Sequence, residues 1–293
     1  MMIEINNVHF SYGETKALKN VTINEKEPII IGLWGRNGAG KTTLMKLLAG
    51  LEKPESGTVL VNGIAPYNYS GSMRHVAYMH ENHPFSELWN VTDALRFASY
   101  FYQNWDGELA NELVDLFELP RHKKIRKFSK GMQTLTKIVI GLASKTPVTI
   151  MDEPTNGLDA DMRKLFYEVL LETYEDHPRM FLLSTHHIDE LKPLCEKIAI
   201  VDQKTIIRYE ETEMLTVQGI LLTGERAAIE ELTAGYNILE ERTLGNVVNV
   251  MLDDSFSETW AERAKAAHVN IEKASLQDYL VSLTKKQKKE VQQ

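Results

Sequence analysis

Short β-branched runs alternate with helical stretches up to about residue 210, the alternation lapses between about 85 and 145, and the texture changes after about 215. These three observations predict an α/β protein, with a body built on a largely parallel sheet, a helical subdomain inserted into it, and a small α+β domain behind it. The expected boundaries are 1–214 for the body, about 85–145 for its insert, and 215–293 for the accessory domain with its basic tail.

Strand candidates in the body are residues 29–33, 59–61, 76–79, 148–151, 181–184 and 198–201. Between them, 91–118, 132–145, 159–174 and 187–195 carry apolar residues at spacings of three and four, the helical period. After residue 215 the pattern gives strand 219–223, helix 225–234, a hairpin over 237–252 turning at Leu244-Gly245-Asn246, helix 257–267, strand 269–273 and helix 275–284. That βαββαβ order with an added helix is the order of a ferredoxin-like domain. The closing run Lys285-Lys286-Gln287-Lys288-Lys289 reads as a solvated basic tail.

The chain has 293 residues, 43% hydrophobic and 25% charged, which is the balance of a folded globular protein. A formal net charge of −8 argues against a protein that coats nucleic acid. No apolar stretch approaches the ~18–20 residues needed to cross a bilayer, and Met1 to Asn6 has no secretory pattern, so a cytosolic chain is expected. The single cysteine, Cys195, excludes an intramolecular disulfide and reads as a small core-facing residue of a helix.

Directly after the strand 29–33 comes Gly35-Arg36-Asn37-Gly38-Ala39-Gly40-Lys41-Thr42, followed by the helical run Thr43-Leu44-Met45-Lys46-Leu47-Leu48. A strand, a loop of the form G-x-x-x-x-G-K-[ST] and a helix are what a phosphate loop requires. Its glycines let successive N–H groups turn toward phosphate oxygens, and the helix adds its positive N-terminal end. Lys41 is then suited to the β- and γ-phosphates of ATP and the Thr42 hydroxyl to Mg²⁺. A buried strand, 148–151, ends in Asp152-Glu153, whose side chains strand alternation sends to opposite faces. Asp152 suits the magnesium shell and Glu153 the role of general base toward water.

Three more segments follow in order: Phe128-Ser129-Lys130-Gly131-Met132-Gln133, Pro154-Thr155-Asn156-Gly157-Leu158-Asp159 and Ser184-Thr185-His186. Together with the phosphate loop they resemble the ATP-binding subunits of ABC transporters over residues 1 to about 210. The resemblance implies a P-loop ATPase core. It gives Ser129 and Gly131 to the family's signature loop, Asp159 to its D-loop, and His186 to its switch histidine, a donor to the γ-phosphate. It implies nucleotide contacts by Tyr12, which would stack on adenine, and by Gly35, Asn37, Gly38, Gly40, Lys41, Thr42 and Thr43. It also implies a dimer with an identical or related ATPase subunit, in which Ser129 and Gly131 close on the ATP of the opposite copy. Ser129 and Asp159 also read as plain helix caps, and Tyr12 as a plain turn or core residue.

Three positions depart from the family pattern, Glu81, Lys130 and Met132, the last standing where glutamine is common. Glu81 stands where a magnesium-contacting glutamine is common, which assigns it to the metal set, and Lys130 stands where glycine is common in the signature loop, beside Met132. These departures, with Phe101-Tyr102-Gln103-Asn104-Trp105-Asp106 and the extra C-terminal domain, are similar to ATPases of bacterial ABC-2-type exporters, the YtrB-like and antimicrobial-peptide-resistance groups. The implied role is a motor at the inner face of the cell membrane that powers a separate integral membrane permease. That permease would dock on the helical insert near Glu81, where Trp89, Phe97, Phe101 and Trp105 read either as apolar contact surface or, as aromatics at helical spacing more often do, as core. A soluble ABC-type switch acting on ribosome or DNA is the competing reading, and a phosphate-loop kinase a third.

Overall fold

Two strands that strict alternation conceals open the chain: β1 (Ile3–Tyr12) and β2 (Thr15–Glu25), paired antiparallel. The buried positions of β1 run Ile3, Ile5, then Val8 and Phe10, so the phase slips by one residue at Asn7, whose φ is 50°. In β2 the slip falls at Asn20, φ 49°, between Leu18 and Val21. Both are register shifts of the kind a bulge produces. The computed structural model describes residues 2–69, 71–81 and 85–290.

The chain continues through β3 (Ile30–Trp34), α1 (Lys41–Leu48), β4 (Ser56–Val61), β5 (Val76–Met79), α2 (Val91–Phe101), α3 (Gly107–Leu116), α4 (Lys130–Ala143), β6 (Val148–Met151), α5 (Ala160–Asp176), β7 (Met180–Thr185), α6 (Ile188–Leu191), β8 (Lys197–Asp202) and β9 (Thr205–Glu211). Two compact units result. The first runs to His186 and resumes over Leu194–Tyr209, and the second takes His187–Pro193 and the chain from Glu210 onward.

In the first unit, one sheet has the order β5-β6-β7-β3-β8-β9, with β5 through β8 parallel. Central β3 and β6 are buried along their whole length, as parallel strands covered on both faces must be. The predicted strand 59–61 is not part of it. Extended to Ser56–Val61, it pairs antiparallel with β1 in a separate sheet of order β2-β1-β4. The insert is helical as expected, but the stretch 91–118 is two helices. Asp106 ends the continuity by accepting from the N–H groups of Glu108 and Leu109 at 3.1 and 2.9 Å, which starts α3 afresh. The helix expected at 187–195 is the single turn α6, and Cys195 lies buried beyond it, its thiol pushed up by burial.

The second unit adds α7 (Thr212–Thr216), β10 (Gln218–Glu225), α8 (Arg226–Leu232), β11 (Ile238–Leu244), β12 (Val247–Ser255), α9 (Glu258–Ala266), β13 (Asn270–Lys273) and α10 (Leu276–Glu290). Its sheet has the order β11-β12-β10-β13 with every pair antiparallel, the interleaved βαβ arrangement of a ferredoxin-like fold. Ile220, Leu222, Val250, Leu252, Trp260 and Ile229 form its core. The run expected as a tail continues α10 to Glu290, and side chains beyond Lys285 lie outside the described residues.

Candidate active site

Strands β6, β7 and β3 are neighbours and parallel, so their C-terminal ends meet on one edge of the sheet. Ligands of open α/β sheets bind at that edge. β3 delivers the phosphate loop, β6 delivers Asp152 and Glu153, and β7 delivers Ser184, Thr185 and His186.

The loop bends where glycine allows it: φ is 80° at Gly38 and 118° at Gly40, in the left-handed region that side chains disfavour. At Gly35 the constraint is space, since a Cβ there would stand 2.5 Å from the carbonyl oxygen of Val201. No side chain caps α1, whose cap residue is Gly40 and whose first turn holds no acidic residue. The N–H groups opening the helix therefore suit an anion. Lys41 folds back over the loop, its ammonium donating to the carbonyl of Gly35 and standing 3.8 Å from Glu153. Burial pulls the pKa of Lys41 down, and the carboxylates of Glu153 and Asp152 oppose that shift.

The acidic pair divides as expected, although both residues lie just past the end of β6 and the bend at Glu153, not strand alternation, separates them. Asp152 is buried, its Oδ2 accepting from the Thr42 hydroxyl at 3.1 Å and its Oδ1 from the Ser184 hydroxyl at 2.7 Å. Ser184 also accepts from the Glu153 N–H at 2.9 Å, locking the two acidic residues to β7. Glu153 turns away at φ 51°, a left-handed backbone that is uncommon for a residue other than glycine, asparagine or aspartate. Its Oε2 lies 2.8 Å from Nδ1 of His186. Thr42 and Asp152 are hard oxygen donors side by side, the donor type that suits Mg²⁺.

A cavity of about 560 Å³ opens over these groups, lined among others by Tyr12, Asn37, Gly38, Gly40, Lys41, Thr42, Thr43, Glu81, Asp152 and Glu153. Tyr12 is exposed at its mouth, braced edge-on against Phe10 with ring centroids 4.8 Å apart. Ser129, Gly131 and Asp159 do not line it. Ser129 caps α4 by accepting from the Met132 N–H at 3.2 Å, and Asp159 caps α5 by accepting from the Met162 N–H at 2.9 Å. Gly131 passes so near the D-loop that a Cβ would stand 2.5 Å from the Gly157 carbonyl oxygen.

The insert carries a second, apolar hollow of about 270 Å³ lined by Met79, Phe85, Trp89, Phe97, Phe101 and Tyr102 among others. Trp89, Phe97 and Phe101 touch in series, with centroids 4.5 and 4.7 Å apart. Trp105 packs instead against the small cluster of Ala77, Ala98 and Tyr102. Asn82, His83 and Pro84, between Glu81 and this hollow in sequence, lie outside the described residues. The sequence reading missed the bridging role of Ser184 and the grip of Lys137 and Asn156 on the Glu81 loop. Ser184 was visible in the segment with His186, but only the neighbouring strand gives its hydroxyl two partners.

The family model for ABC transporter proteins matches residues 18–156. The uncharacterized ABC transporter ATP-binding protein YdbJ of Bacillus subtilis (strain 168) is 31% identical over 78% of this chain and 74% of its own. This chain belongs to the ATP-binding proteins of ABC transporters. As one of them it binds ATP and is an ATPase. The ABC transporter ATP-binding protein YtrB of the same organism is 26% identical over 73% of each chain. A bacterial ABC transporter cassette solved as a dimer is 25% identical, with a TM-score of 0.65 over 72% of this chain and 99% of that one. No helix among the described residues is long and apolar enough to cross a membrane.

Proposed function

We propose that this ATPase is the motor of a separate membrane permease, held against the inner face of the membrane by that partner and working in the direction of export. The observation that carries the motor reading is the pairing of a hydrolytic edge with an apolar hollow on one unit. Lys41, Asp152, Glu153 and His186 meet at the sheet edge, while Trp89, Phe97 and Phe101 present aromatic surface on the insert. Phe97 and Phe101 are 46% and 43% exposed, which suits contact with an apolar partner segment. Export rests on the sequence likeness to ABC-2-type exporters.

In the reaction, loop N–H groups and Lys41 hold the phosphates and offset the charge that spreads over them in the transition state. Glu153 takes the proton of the attacking water, and His186 holds Glu153 in position through Nδ1. Thr42 and Asp152 would hold Mg²⁺, with Oε2 of Glu81 at the cavity wall as a further oxygen. The bound ion supplies positive charge to the phosphate oxygens. Tyr12 offers a ring to adenine. Ser129, Gly131 and Asp159 do not line the cavity of their own chain and are assigned to the ATP of a second ATPase copy, identical or related.

The test is purification of the tagged chain from detergent-solubilised membranes, beside a variant carrying Phe97→Asp and Phe101→Asp. Recovery of one integral membrane protein with the parent and its loss with the variant is the expected result. Recovery with ribosomes or DNA in place of a membrane protein would overturn the motor reading in favour of a soluble ABC-type switch.

A further inference from the structure

The two charged departures from the family pattern stand 49 positions apart in sequence and meet in the fold. Lys130 Nζ donates to Glu81 Oε1 at 2.8 Å. Asn156 Nδ2 donates to the same oxygen at 2.6 Å. Lys130 opens α4, and Lys137, two helical turns on and therefore on the same face, donates its ammonium to the backbone carbonyls of His80, at 3.1 Å, and Glu81. Thr134, between them on that face, donates its hydroxyl to the Asn156 carbonyl at 3.2 Å. One face of α4 thus grips the loop after β5 twice, through its backbone by Lys137 and through its carboxylate by Lys130.

The grip has an electrostatic purpose. Glu81 lines the phosphate cavity, where an uncompensated carboxylate would repel the ATP phosphates. An ammonium at hydrogen-bond distance turns that full charge into a short dipole, whose field falls off far faster. Lys130 and Glu81 form an ion pair at 2.8 Å, so the carboxylate and its counter-charge stand together at the cavity wall. Burial pulls the Lys137 ammonium down while the Glu81 charge holds it up, which ties the second lysine to the same carboxylate.

We propose that Lys130 and Asn156 hold Glu81 as a neutralised, positioned carboxylate, so that the first turn of α4 sets the affinity of the phosphate loop for ATP within the same chain. The proposal rests on the ATP-binding reading of the loop and adds a positioning role for Lys130 that a signature-loop cap alone does not supply. Glu81 keeps its second oxygen for the metal shell, while its charge no longer opposes the triphosphate.

The experiment is equilibrium binding of a fluorescent ATP analogue to the full chain at low salt with EDTA present, so that neither metal nor turnover enters. Lys130→Ala is expected to weaken binding about fivefold, because it leaves one unpaired negative charge at the cavity. Lys130→Arg should stay within about twofold of the parent, since it keeps the charge. Glu81→Gln should bind at least as tightly as the parent, and Glu81→Gln with Lys130→Ala should return to within about twofold of it, because the net charge is restored. Raising the salt should shrink the differences, which a purely structural defect would not do. A Lys130→Ala protein that binds like the parent, or a double variant as weak as Lys130→Ala alone, would overturn the proposal. A parent that binds no nucleotide would instead bring down the ATP reading beneath it.

Discussion

In the first unit Lys41 and Asp152 are buried at strand and helix ends and joined through Thr42, Ser184 and Glu153, whereas the buried polar side chains of the second unit, among the described residues, are all hydroxyls: Thr212, Thr233, Ser282 and Thr284. Those of Thr233 and Thr284 return to carbonyls one turn back on their own helices, at 2.8 and 3.0 Å. Ser282 serves a surface ion cluster in which Glu240 also meets Arg242 and Lys285. Removing charge from water costs several kcal/mol per ion unless partners offset it, and the first unit also buries Glu25, Arg179 and Asp202 away from the phosphate cavity, with Glu25 paired to Lys197 at 2.7 Å and Arg179 donating to the Leu142 carbonyl at 2.7 Å. The difference teaches that, among the described residues, charge is buried in the first unit alone, and that at Lys41 and Asp152 it is buried where phosphate chemistry is proposed.

Substitutions in the two units should therefore separate. The largest effect is expected from Lys41→Ala, which removes the cation from the phosphate cavity and should lower ATP turnover about 10³-fold or more. Turnover assays with thermal unfolding alongside would check it, and a variant that loses turnover only because it unfolds would break the comparison. Next is Trp260→Ala in the second unit. Trp260 is buried, donates its indole N–H to Asp254 at 3.0 Å and packs on Tyr236 and Arg263. Its truncation should destabilise that unit by about 3–5 kcal/mol, read by denaturant unfolding, while ATP affinity stays within about twofold. A matching loss of ATP affinity would show that the units do not divide the labour. The smallest effect belongs to Asp159→Ala, which should cost about 1 kcal/mol through the lost cap of α5. If turnover falls further than that loss of stability accounts for, the comparison sharpens, because Asp159 then acts on nucleotide as well as capping.

The parts of the site that the sequence made legible are those whose chemistry allows few residue types. Gly38 and Gly40 sit at left-handed φ and Lys41 must reach phosphate, so their spacing is readable without a fold. Asp152 and Glu153 follow from a buried strand that ends in acid. The sheet order of the second unit follows from its βαββαβ sequence. By contrast, β1 and β2 escaped because left-handed Asn7 and Asn20 shift the phase of burial midway along each strand. The break in 91–118 was written in Asp106, but apolar spacing on both sides of it concealed the cap. The length of α10 was under-read because Lys and Gln, though good helix formers, look like a tail when no apolar face accompanies them. The Glu81–Lys130 pair is a tertiary contact, and each member alone reads as an isolated oddity.

Glu153, held by His186 at 2.8 Å and tied to Ser184 through its N–H, is the proposed base of an ATPase assembled at the C-terminal ends of the first unit's parallel strands. Glu153→Gln keeps the shape and removes the base. Measured side by side with the parent for ATP turnover and ATP binding, it should lose about 10³-fold or more in kcat, roughly 4 kcal/mol in barrier, while still binding ATP and accumulating as an ATP-bound dimer. Turnover at the parental rate would contradict the assignment.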